Sequence, residues 1–215
     1  MKNLPLHYER DGAKIYAESY ATVKREARLE RFSPDCQAAV IRMIHACGMV
    51  EIADRVSLDP NVGAATRASL QAGNALLCDC EMVRAGIIAR YLPEGVKAQT
   101  MLNDPSVPEL ARELGITRSA AQVELWKPVL ENAVVVIGNA PTALFYLLEA
   151  IDAGAPKPAA IIACPVGFVG AAESKAELAG NPRAVPYLTL RGRRGGSAIT
   201  AAALNGLAAG LPEIT

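Results

Sequence analysis

One of the two histidines in the sequence lies where an imidazole could exchange protons with a ligand. His45 follows Arg42 by three residues in a predicted helix, Pro34–Cys47, so the two side chains share a neighbouring face. A nearby guanidinium disfavours the protonated ring, whereas the negative C-terminal end of a helix favours it. This balance indicates a histidine that both donates and accepts protons, and the alternative is a packed or surface side chain.

Glycine-rich segments follow three of the predicted strands, at residues 138–142, 165–175 and 191–197. Ligands of open parallel sheets bind beyond the carboxyl ends of the strands, where helix N-termini favour anions. We therefore expect the three segments to converge on a broad anion-binding pocket, and the alternative for any one of them is an ordinary tight turn. The last segment carries Arg191, Arg193 and Arg194, a dense cationic patch suited to carboxylates or phosphates.

The sequence lacks the motifs of several other enzyme classes. It has no Gly-x-Gly-x-x-Gly dinucleotide fingerprint, no P-loop lysine, no HExxH zinc motif and no Ser-His-Asp order. Cys78 and Cys80 lack the two-residue gap of a zinc or redox motif, so no metal site is expected. Lys plus Arg (22) equals Asp plus Glu (22), which removes the global basic field of a non-specific nucleic-acid binder.

Composition and hydropathy place the chain among globular proteins. Its 215 residues are 51% apolar and 20% charged, which is enough apolar material for a packed core and too little charge for disorder. No apolar run approaches the roughly 18 residues of a membrane span, and the first residues run directly into charged sequence. We therefore expect a cytoplasmic protein without a membrane partner.

Short apolar runs that alternate with helical patterns predict an α/β fold. The runs predicted as strands are Asn74–Cys78, Val96–Leu102, Ala133–Ile137, Ala159–Cys164 and Val185–Leu190. The predicted helices are Ala13–Arg31, Pro34–Cys47, Val62–Ala72, Glu81–Arg90, Val107–Leu114, Ser119–Asn132, Pro141–Asp152, Ala171–Ala179 and Ala198–Ala209. The expected architecture is a three-layer sandwich with a five-stranded, mainly parallel sheet and an N-terminal helical segment. Because no linker divides the chain, residues 1–215 are predicted to form one domain, with a helical front to about residue 72 and an α/β body beyond it.

Six blocks of the sequence together resemble the precorrin-8X methylmutase family of cobalamin biosynthesis. They are Ile41–Gly48, Leu77–Gly86, Thr117–Ala121, Ile137–Phe145, Pro165–Lys175 and Arg191–Ala198. The likeness extends from about Tyr8 to Leu207, which is nearly the whole chain. It implies an isomerase that moves a methyl group from C-11 to C-12 of a corrin precursor and gives hydrogenobyrinic acid. It also implies a homodimer that uses no cofactor and has its active sites near the subunit interface.

The same resemblance assigns roles to individual residues. It implies that His45 is the proton donor and acceptor, and that Ser19 and Arg42 contact the tetrapyrrole substrate. Arg118 and Ser119 are further expected ligand contacts. The loop residues expected to bind substrate are Asn139, Thr142, Gly167, Lys175, Arg191, Arg193, Gly195, Gly196 and Ser197.

A proton placed by His45 on the macrocycle would make C-11 electron-poor and prepare the methyl group for a suprafacial 1,5-shift. Such a shift needs no nucleophile or metal, because positioning and electrostatics supply the remaining catalysis. Two other classes compete with this interpretation: a nucleotide-dependent oxidoreductase or methyltransferase, and a tetrapyrrole carrier that performs no chemistry. Within the family the substrate is either metal-free precorrin-8X or its cobalt-containing counterpart, and overall likeness favours the metal-free form.

Overall fold

The computed structural model describes residues 6–211, and at its centre is a six-stranded sheet. The strands are β1 (Val56–Leu58), β2 (Leu76–Cys78), β3 (Ala98–Gln99), β4 (Val134–Ile137), β5 (Ala160–Ala163) and β6 (Tyr187–Leu190). Their order across the sheet is β1-β6-β5-β4-β2-β3. β1 pairs antiparallel with β6, and all other neighbours are parallel. The carboxyl ends of β2 to β6 therefore lie on one edge of the sheet, where ligands of such folds bind.

Helices cover both faces of this sheet. In the described residues they are α1 (Gly12–Glu26), α2 (Pro34–Cys47), α3 (Val62–Gln71), α4 (Glu81–Gly86), α5 (Val107–Leu114), α6 (Arg118–Trp126), α7 (Pro141–Asp152), α8 (Ala171–Gly180) and α9 (Ser197–Ala209). One hydrophobic core lies between the sheet and α2, α3, α4 and α9, and a second lies between the sheet and α6, α7 and α8. The predicted three-layer α/β architecture is confirmed. None of the helices described is long and apolar enough to cross a membrane.

β4 shows how the sheet separates the two cores. Val134 and Val136 belong to one core, Val135 and Ile137 belong to the other, and all four side chains are fully buried. Because side chains alternate along a strand, a run that is apolar at every position requires a helical layer on each face. The same run predicted a buried parallel strand from the sequence, and the structure contains that strand.

The prediction of five strands was wrong by one. Each of the five predicted runs contains a strand, and the additional strand is β1 at the edge of the sheet. Its three residues are too few to produce a recognisable periodic pattern. Pairing with β6 creates it: Ser57 lies in register with Thr189, and the Arg191 N–H donates to the Arg55 carbonyl at 2.9 Å. β1 is therefore a product of tertiary contact rather than of local sequence.

Three of the predicted helices, α1, α4 and α6, end at least four residues earlier than expected. α1 ends before Arg31 because Ala27 and Leu29 are both buried, and residues two positions apart cannot face the same side of a helix. α6 ends at Trp126 and is followed by a 3-10 turn that contains Pro128, which lacks the N–H that a continuing helix would need. α4 is likewise shorter than its predicted pattern.

α2 and α9 form a close helix pair in the first core. Gly206 of α9 lies directly against Ala39 of α2, and a Cβ atom at Gly206 would overlap the backbone there. This close approach fixes α2 against a helix that itself packs on β4 and β5. The C-terminal end of α2, where His45 lies, is thereby attached to the rigid body of the fold.

Candidate active site

The position of His45 is set by how α2 begins and ends. Pro34 occupies the first turn, where its missing N–H leaves no hydrogen bond unmade, and Gly48 ends the helix in the left-handed conformation at φ +68°. Val40 and Met43 point into the core, whereas His45 is exposed in the last turn. The negative end of the helix dipole therefore acts on the imidazole, as the sequence predicted.

The imidazole of His45 is held by α1 in a group that we call the histidine cluster: Tyr16, Ser19, Tyr20 and His45. The Ser19 Oγ and His45 Nδ1 atoms are 2.8 Å apart and form a hydrogen bond. The rings of Tyr16 and Tyr20 flank the imidazole, with centroids 5.4 Å and 5.2 Å away. Within residues 6–211 the other ring nitrogen, Nε2, has no hydrogen-bond partner, so it is the nitrogen that can face a ligand.

The hydroxyl of Ser19 suits a histidine that changes its protonation state. A serine hydroxyl both donates and accepts, so it can donate to a bare Nδ1 or accept from a protonated one. The hydrogen bond at Nδ1 thus persists whether Nε2 carries a proton or not. The resemblance implied that Ser19 contacts the substrate, and the structure places its hydroxyl on the catalytic candidate itself.

Arg42 does not present a free guanidinium beside His45. It is 8% exposed, its Nε donates to the Gly210 carbonyl at 2.8 Å, and a terminal nitrogen donates to the Tyr91 hydroxyl at 3.1 Å. Burial acts to raise the pKa of Tyr91, but the hydrogen bonds from Arg42 and Arg90 outweigh it and lower that pKa. Arg42 therefore ties α2 to the turn at Tyr91 and to the end of α9, and the free cation that was expected next to the histidine is engaged elsewhere.

Burial also affects the tyrosine beneath the imidazole. It raises the pKa of Tyr20, and the positive charge of Arg42 offsets part of this rise. The hydroxyl of Tyr20 therefore keeps its proton, and its ring packs against the imidazole of His45. Arg42 contributes to the histidine cluster through this charge and through the position of α2.

The second region, which we call the loop edge, consists of residues 79–82, 138–142, 165–170 and 191–197 at the carboxyl ends of the strands. In residues 138–142 the backbone donors are already used: the N–H groups of Gly138, Asn139 and Ala140 donate to the buried carboxylate of Asp79 at 3.0, 2.8 and 2.8 Å. The expectation that these N–H groups bind a ligand anion was therefore wrong, because the chain supplies its own anion. The side chains of Asn139 and Thr142 remain exposed.

The start of α6 lies beside the start of α7. The Thr117 hydroxyl caps α6 by accepting the Ala120 N–H, and it also lies 2.8 Å from the Thr142 hydroxyl on α7. Arg118 and Ser119, which open α6, are thus adjacent to the segment that carries Thr142. A cavity of about 360 Å³ lies between the two helices and is lined in part by Thr117 and Thr142. The predicted substrate-binding residues Arg118, Ser119 and Thr142 therefore lie on neighbouring segments in the structure.

The three arginines of residues 191–197 do not form one patch. Arg191 points toward β1, where a terminal nitrogen lies 3.5 Å from the Ser57 hydroxyl in a cleft of about 230 Å³. The guanidinium of Arg193 instead lies over the ring of Phe168, 5.4 Å from its centroid. The chain bends at Gly192 and Arg193, with Gly192 at φ +87°, so arginines that are close in the sequence point in different directions and do not form the single cationic patch that was expected.

Arg194 connects the loop edge to the end of α2. Its side chain forms a 2.6 Å ion pair with Glu51, in the 3-10 turn Val50–Arg55 that follows the histidine helix. The carbonyl of Arg194 accepts a 2.6 Å hydrogen bond from the ammonium of Lys175. Lys175 is fully buried, and burial lowers its pKa to about 8. The expected direct contact between Lys175 and substrate does not fit this placement, since the side chain lies inside and supports the arginine segment.

The glycines of the loop edge join its segments to one another. The Gly167 N–H donates to the Arg193 carbonyl at 3.2 Å, and the Gly196 N–H donates to the Cys164 carbonyl at 2.8 Å. Gly195, at φ +157°, lies so close to Cys164 that a Cβ atom would overlap its carbonyl. The Ser197 hydroxyl, at the start of α9, is 3.5 Å from the Cys80 sulfur. These residues shape the edge through internal contacts, and their contact with substrate stays a prediction.

Large apolar side chains stand exposed on the same edge. Phe168 and Val169 are 86% and 88% exposed, and Met82, at the start of α4, is 74% exposed. Apolar surface of this kind beside arginines suits a large, flat ligand with anionic substituents. Among the residues described, no three His, Cys, Asp or Glu side chains group as a metal site requires.

The fold and these two regions define a class: an α/β protein with an exposed histidine held at Nδ1 by a serine hydroxyl and with a wide, mixed apolar and cationic edge. A sequence model of the precorrin-8X methylmutase family matches residues 14–209, and the chain belongs to that family. It is 56% identical to the precorrin-8X methylmutase of Pseudomonas aeruginosa over 203 residues, 94% of this chain and 98% of the relative.

Two further comparisons extend this result. The cobalt-precorrin-8 methylmutase of Priestia megaterium is 33% identical over 195 residues, 90% of this chain and 86% of the relative. The solved structure of the precorrin-8X methylmutase from Thermus thermophilus superposes with a TM-score of 0.80 at 36% identity, covering 91% of this chain and 94% of that one. The resemblance inferred from the six sequence blocks is confirmed.

Proposed function

We propose that this protein is the isomerase of cobalamin biosynthesis that moves a methyl group from C-11 to C-12 of precorrin-8X and releases hydrogenobyrinic acid. The observation that carries the proposal is the hydrogen bond between Ser19 and His45, which holds Nδ1 and leaves Nε2 open at the surface. Family membership and the 56% identity to a precorrin-8X methylmutase support the reaction.

The reaction requires one proton to be given and returned. Protonated His45 donates from Nε2 to the conjugated macrocycle, which withdraws electron density from the conjugated system that accepts the methyl group at C-12. The bond between C-11 and the methyl carbon breaks as the bond to C-12 forms on the same face of the ring. Nε2 then takes a proton back from the shifted product, so the histidine ends as it began. Ser19 Oγ keeps the imidazole in place through both transfers.

The loop edge and the adjoining start of α6 supply the binding surface in this scheme. The acetate and propionate groups of the macrocycle pair with Arg118, Arg191 and Arg193, while Phe168 and Val169 cover part of its apolar face. Because methyl migration involves no leaving group or nucleophile, rate enhancement comes from holding one conformer in one protonation state. No cofactor takes part in these steps.

The proposal includes the metal-free substrate, a homodimer and a cytoplasmic location. The higher identity to the relative named for precorrin-8X than to the one named for cobalt-precorrin-8 supports the metal-free substrate. Exposed apolar side chains on α1, Ile15 at 46% and Tyr16 at 48%, support a second copy that covers the histidine cluster.

Titration with hydrogenobyrinic acid, followed by turnover of precorrin-8X, tests the proposal. We expect the absorption bands of the corrinoid to shift on binding, the coloured ligand to co-elute with a dimer on gel filtration, and precorrin-8X to be converted. Cobalt-precorrin-8, assayed in parallel, should react more slowly. A folded protein that neither binds hydrogenobyrinic acid nor converts precorrin-8X would contradict the proposal, and binding without conversion would identify a carrier.

A further inference from the structure

Asp79 is a buried carboxylate at the centre of the loop edge, and the methyl transfer gives it no direct role. It follows β2 immediately, and its side chain is fully buried. One carboxylate oxygen accepts the Gly138 N–H, and the other accepts the N–H groups of Asn139 and Ala140. Burial raises the pKa of Asp79, and these three donors act against the rise. A carboxylate that receives three backbone donors fixes the segment that supplies them.

The main chain of Asp79 makes a second connection, to α6. Its carbonyl accepts a 2.8 Å hydrogen bond from the side-chain amide of Gln122, which is also fully buried. Gln122 lies one turn beyond Ser119, and the same amide reaches the Ser119 carbonyl at 3.4 Å. One residue is therefore bonded both to the segment that carries Asn139 and to the helix that opens with Arg118 and Ser119.

The surrounding packing leaves the fixed segment little room to move. A Cβ atom at Gly138 would lie 2.7 Å from a methyl group of Val83 and 2.9 Å from the Ser197 backbone. The Thr117–Thr142 hydrogen bond connects the two segments again at the surface. A change at Asp79 is thus transmitted to exposed side chains of the loop edge instead of being absorbed locally.

We propose that Asp79 is a positioning residue for the substrate-binding edge. Its carboxylate sets Asn139 and Thr142, and its carbonyl, through Gln122, sets the start of α6. The same carboxylate occupies the N–H groups of Gly138, Asn139 and Ala140, which lead into α7, so anionic groups of the substrate are directed to side chains and not to these three donors. The proposal rests on the proposed function, which makes these exposed residues substrate contacts.

The first test compares Asp79→Asn with Asp59→Asn. Asp59 accepts the Asn61 N–H at 2.7 Å in the turn that follows β1, at the opposite edge of the sheet, and serves as a matched control. An amide cannot accept all three N–H groups, so in Asp79→Asn we expect the Kd for hydrogenobyrinic acid and the KM for precorrin-8X to rise about tenfold, with kcat changed much less. Asp59→Asn should leave all three constants unchanged.

Wild-type Kd and KM in a folded Asp79→Asn protein would overturn the proposal, while the proposed function would stand. A wild-type protein that fails to bind hydrogenobyrinic acid would instead remove the proposed function. The two failures are therefore distinguishable by the wild-type titration that precedes the comparison.

Chemical rescue separates positioning from general loss of stability. Asp79→Ala leaves a space lined by three N–H donors, which added formate can fill, and we expect formate to lower the raised Kd toward the wild-type value. Formate that raises the Tm of the variant without restoring affinity would contradict the proposal. If Asp79→Ala does not fold, Gln122→Leu breaks the connection to α6, together with a 3.4 Å hydrogen bond from the Thr100 hydroxyl, and leaves the carboxylate of Asp79 in place. A raised Kd that formate does not change supports the proposal, and an unchanged Kd refutes it.

Discussion

The histidine cluster and the loop edge use their polar groups in opposite ways. In the histidine cluster one nitrogen of the exposed His45 is bonded to Ser19, and the other has no hydrogen-bond partner within residues 6–211. In the loop edge the polar groups are largely bonded within the chain: Asp79 accepts three N–H groups, and Lys175 binds the carbonyl of Arg194. A group that exchanges a proton must keep a free position, whereas a surface that fits a large ligand must keep its shape.

The two regions are connected by the turn Val50–Arg55. It begins three residues after α2 ends, carries Glu51, which pairs with Arg194, and leads into β1 beside β6. The orientation of α2 and the position of the arginine segment are therefore coupled through a short stretch of chain. Substitutions in one region at a time test whether the histidine cluster and the loop edge contribute independently to turnover and binding.

Loss of the imidazole should produce the largest effect. In His45→Ala we expect turnover of precorrin-8X to fall by roughly 10²- to 10⁴-fold, because the proton donor is removed. The Kd for hydrogenobyrinic acid should stay close to that of the wild type, since the loop edge is untouched. Stopped-flow or steady-state absorbance assays measure the turnover of precorrin-8X, and titration measures the Kd for hydrogenobyrinic acid.

His7→Ala is the matched control for this substitution, since it removes the other histidine of the chain, and its activity should be unchanged. A His45→Ala protein with wild-type turnover would end the assignment of the proton to this residue. A loss of binding as large as the loss of turnover would show that the two regions are not separate in function.

Removal of the Ser19 hydroxyl should have the next largest effect. Ser19→Ala leaves Nδ1 of His45 without its partner, so we expect kcat to fall about tenfold with little change in KM. Ser19→Thr, which keeps a hydroxyl, should recover much of the rate, and the pH dependence of kcat should shift in Ser19→Ala but not in Ser19→Thr. If KM rises instead while kcat is unchanged, Ser19 binds substrate directly, as the sequence resemblance implied.

The sequence predicted the parts of the fold that depend on local pattern. The buried strands were visible because runs such as Ala133–Ile137 are apolar at every position, and α2 was visible because Pro34 and Gly48 mark its ends. β1 was not predictable, because three residues at a sheet edge acquire their conformation from β6. The stop of α1 before Arg31 likewise depends on which residues the core accepts.

The candidate site was predictable in its residue types but not in its contacts. Ser19 and His45 are 26 positions apart, and nothing in their spacing shows that they bond. Three arginines in seven residues indicated one patch, yet each side chain has a different partner, because direction depends on the backbone. Asp79 was missed as well; the available signal was an acidic residue immediately after a fully buried strand.

Substitution of Arg194 tests whether this side chain contributes to substrate binding through direct contact with the ligand or through its ion pair with Glu51, which connects the two regions. Its ion pair with Glu51 is about half exposed on both sides and is worth little to stability in water, about 1 kcal/mol or less. If the half-exposed Arg194 joins Arg191 and Arg193 in pairing with substrate carboxylates, Arg194→Gln should raise KM roughly fivefold, whereas Glu51→Gln should stay within about twofold of the wild type. Equal effects of the two substitutions would show that the ion pair itself, and so the connection to α2, is what binding requires.

Lys175 should have the smallest effect on activity and a distinct effect on stability. Its pKa is about 8 in the folded chain and about 10.4 in an unfolded one, so between these values the unfolded state holds more protons. The free energy of unfolding contributed by this group therefore rises with pH from about 8 to about 10.4 and is level below and above that window. Cys164, the nearest titrating neighbour, has its pKa raised by burial to about 12 and does not titrate within the window.

The measurement is urea unfolding of the wild type and of Lys175→Met at several pH values from 7 to 10. We expect the wild type to gain stability relative to the variant as the pH rises through about 8, because the buried ammonium loses its charge while the Arg194 carbonyl keeps its donor. Near neutral pH both proteins should turn over precorrin-8X at similar rates. A stability difference that is independent of pH would show that Lys175 is solvated, and would return it to the residues available for direct contact with substrate.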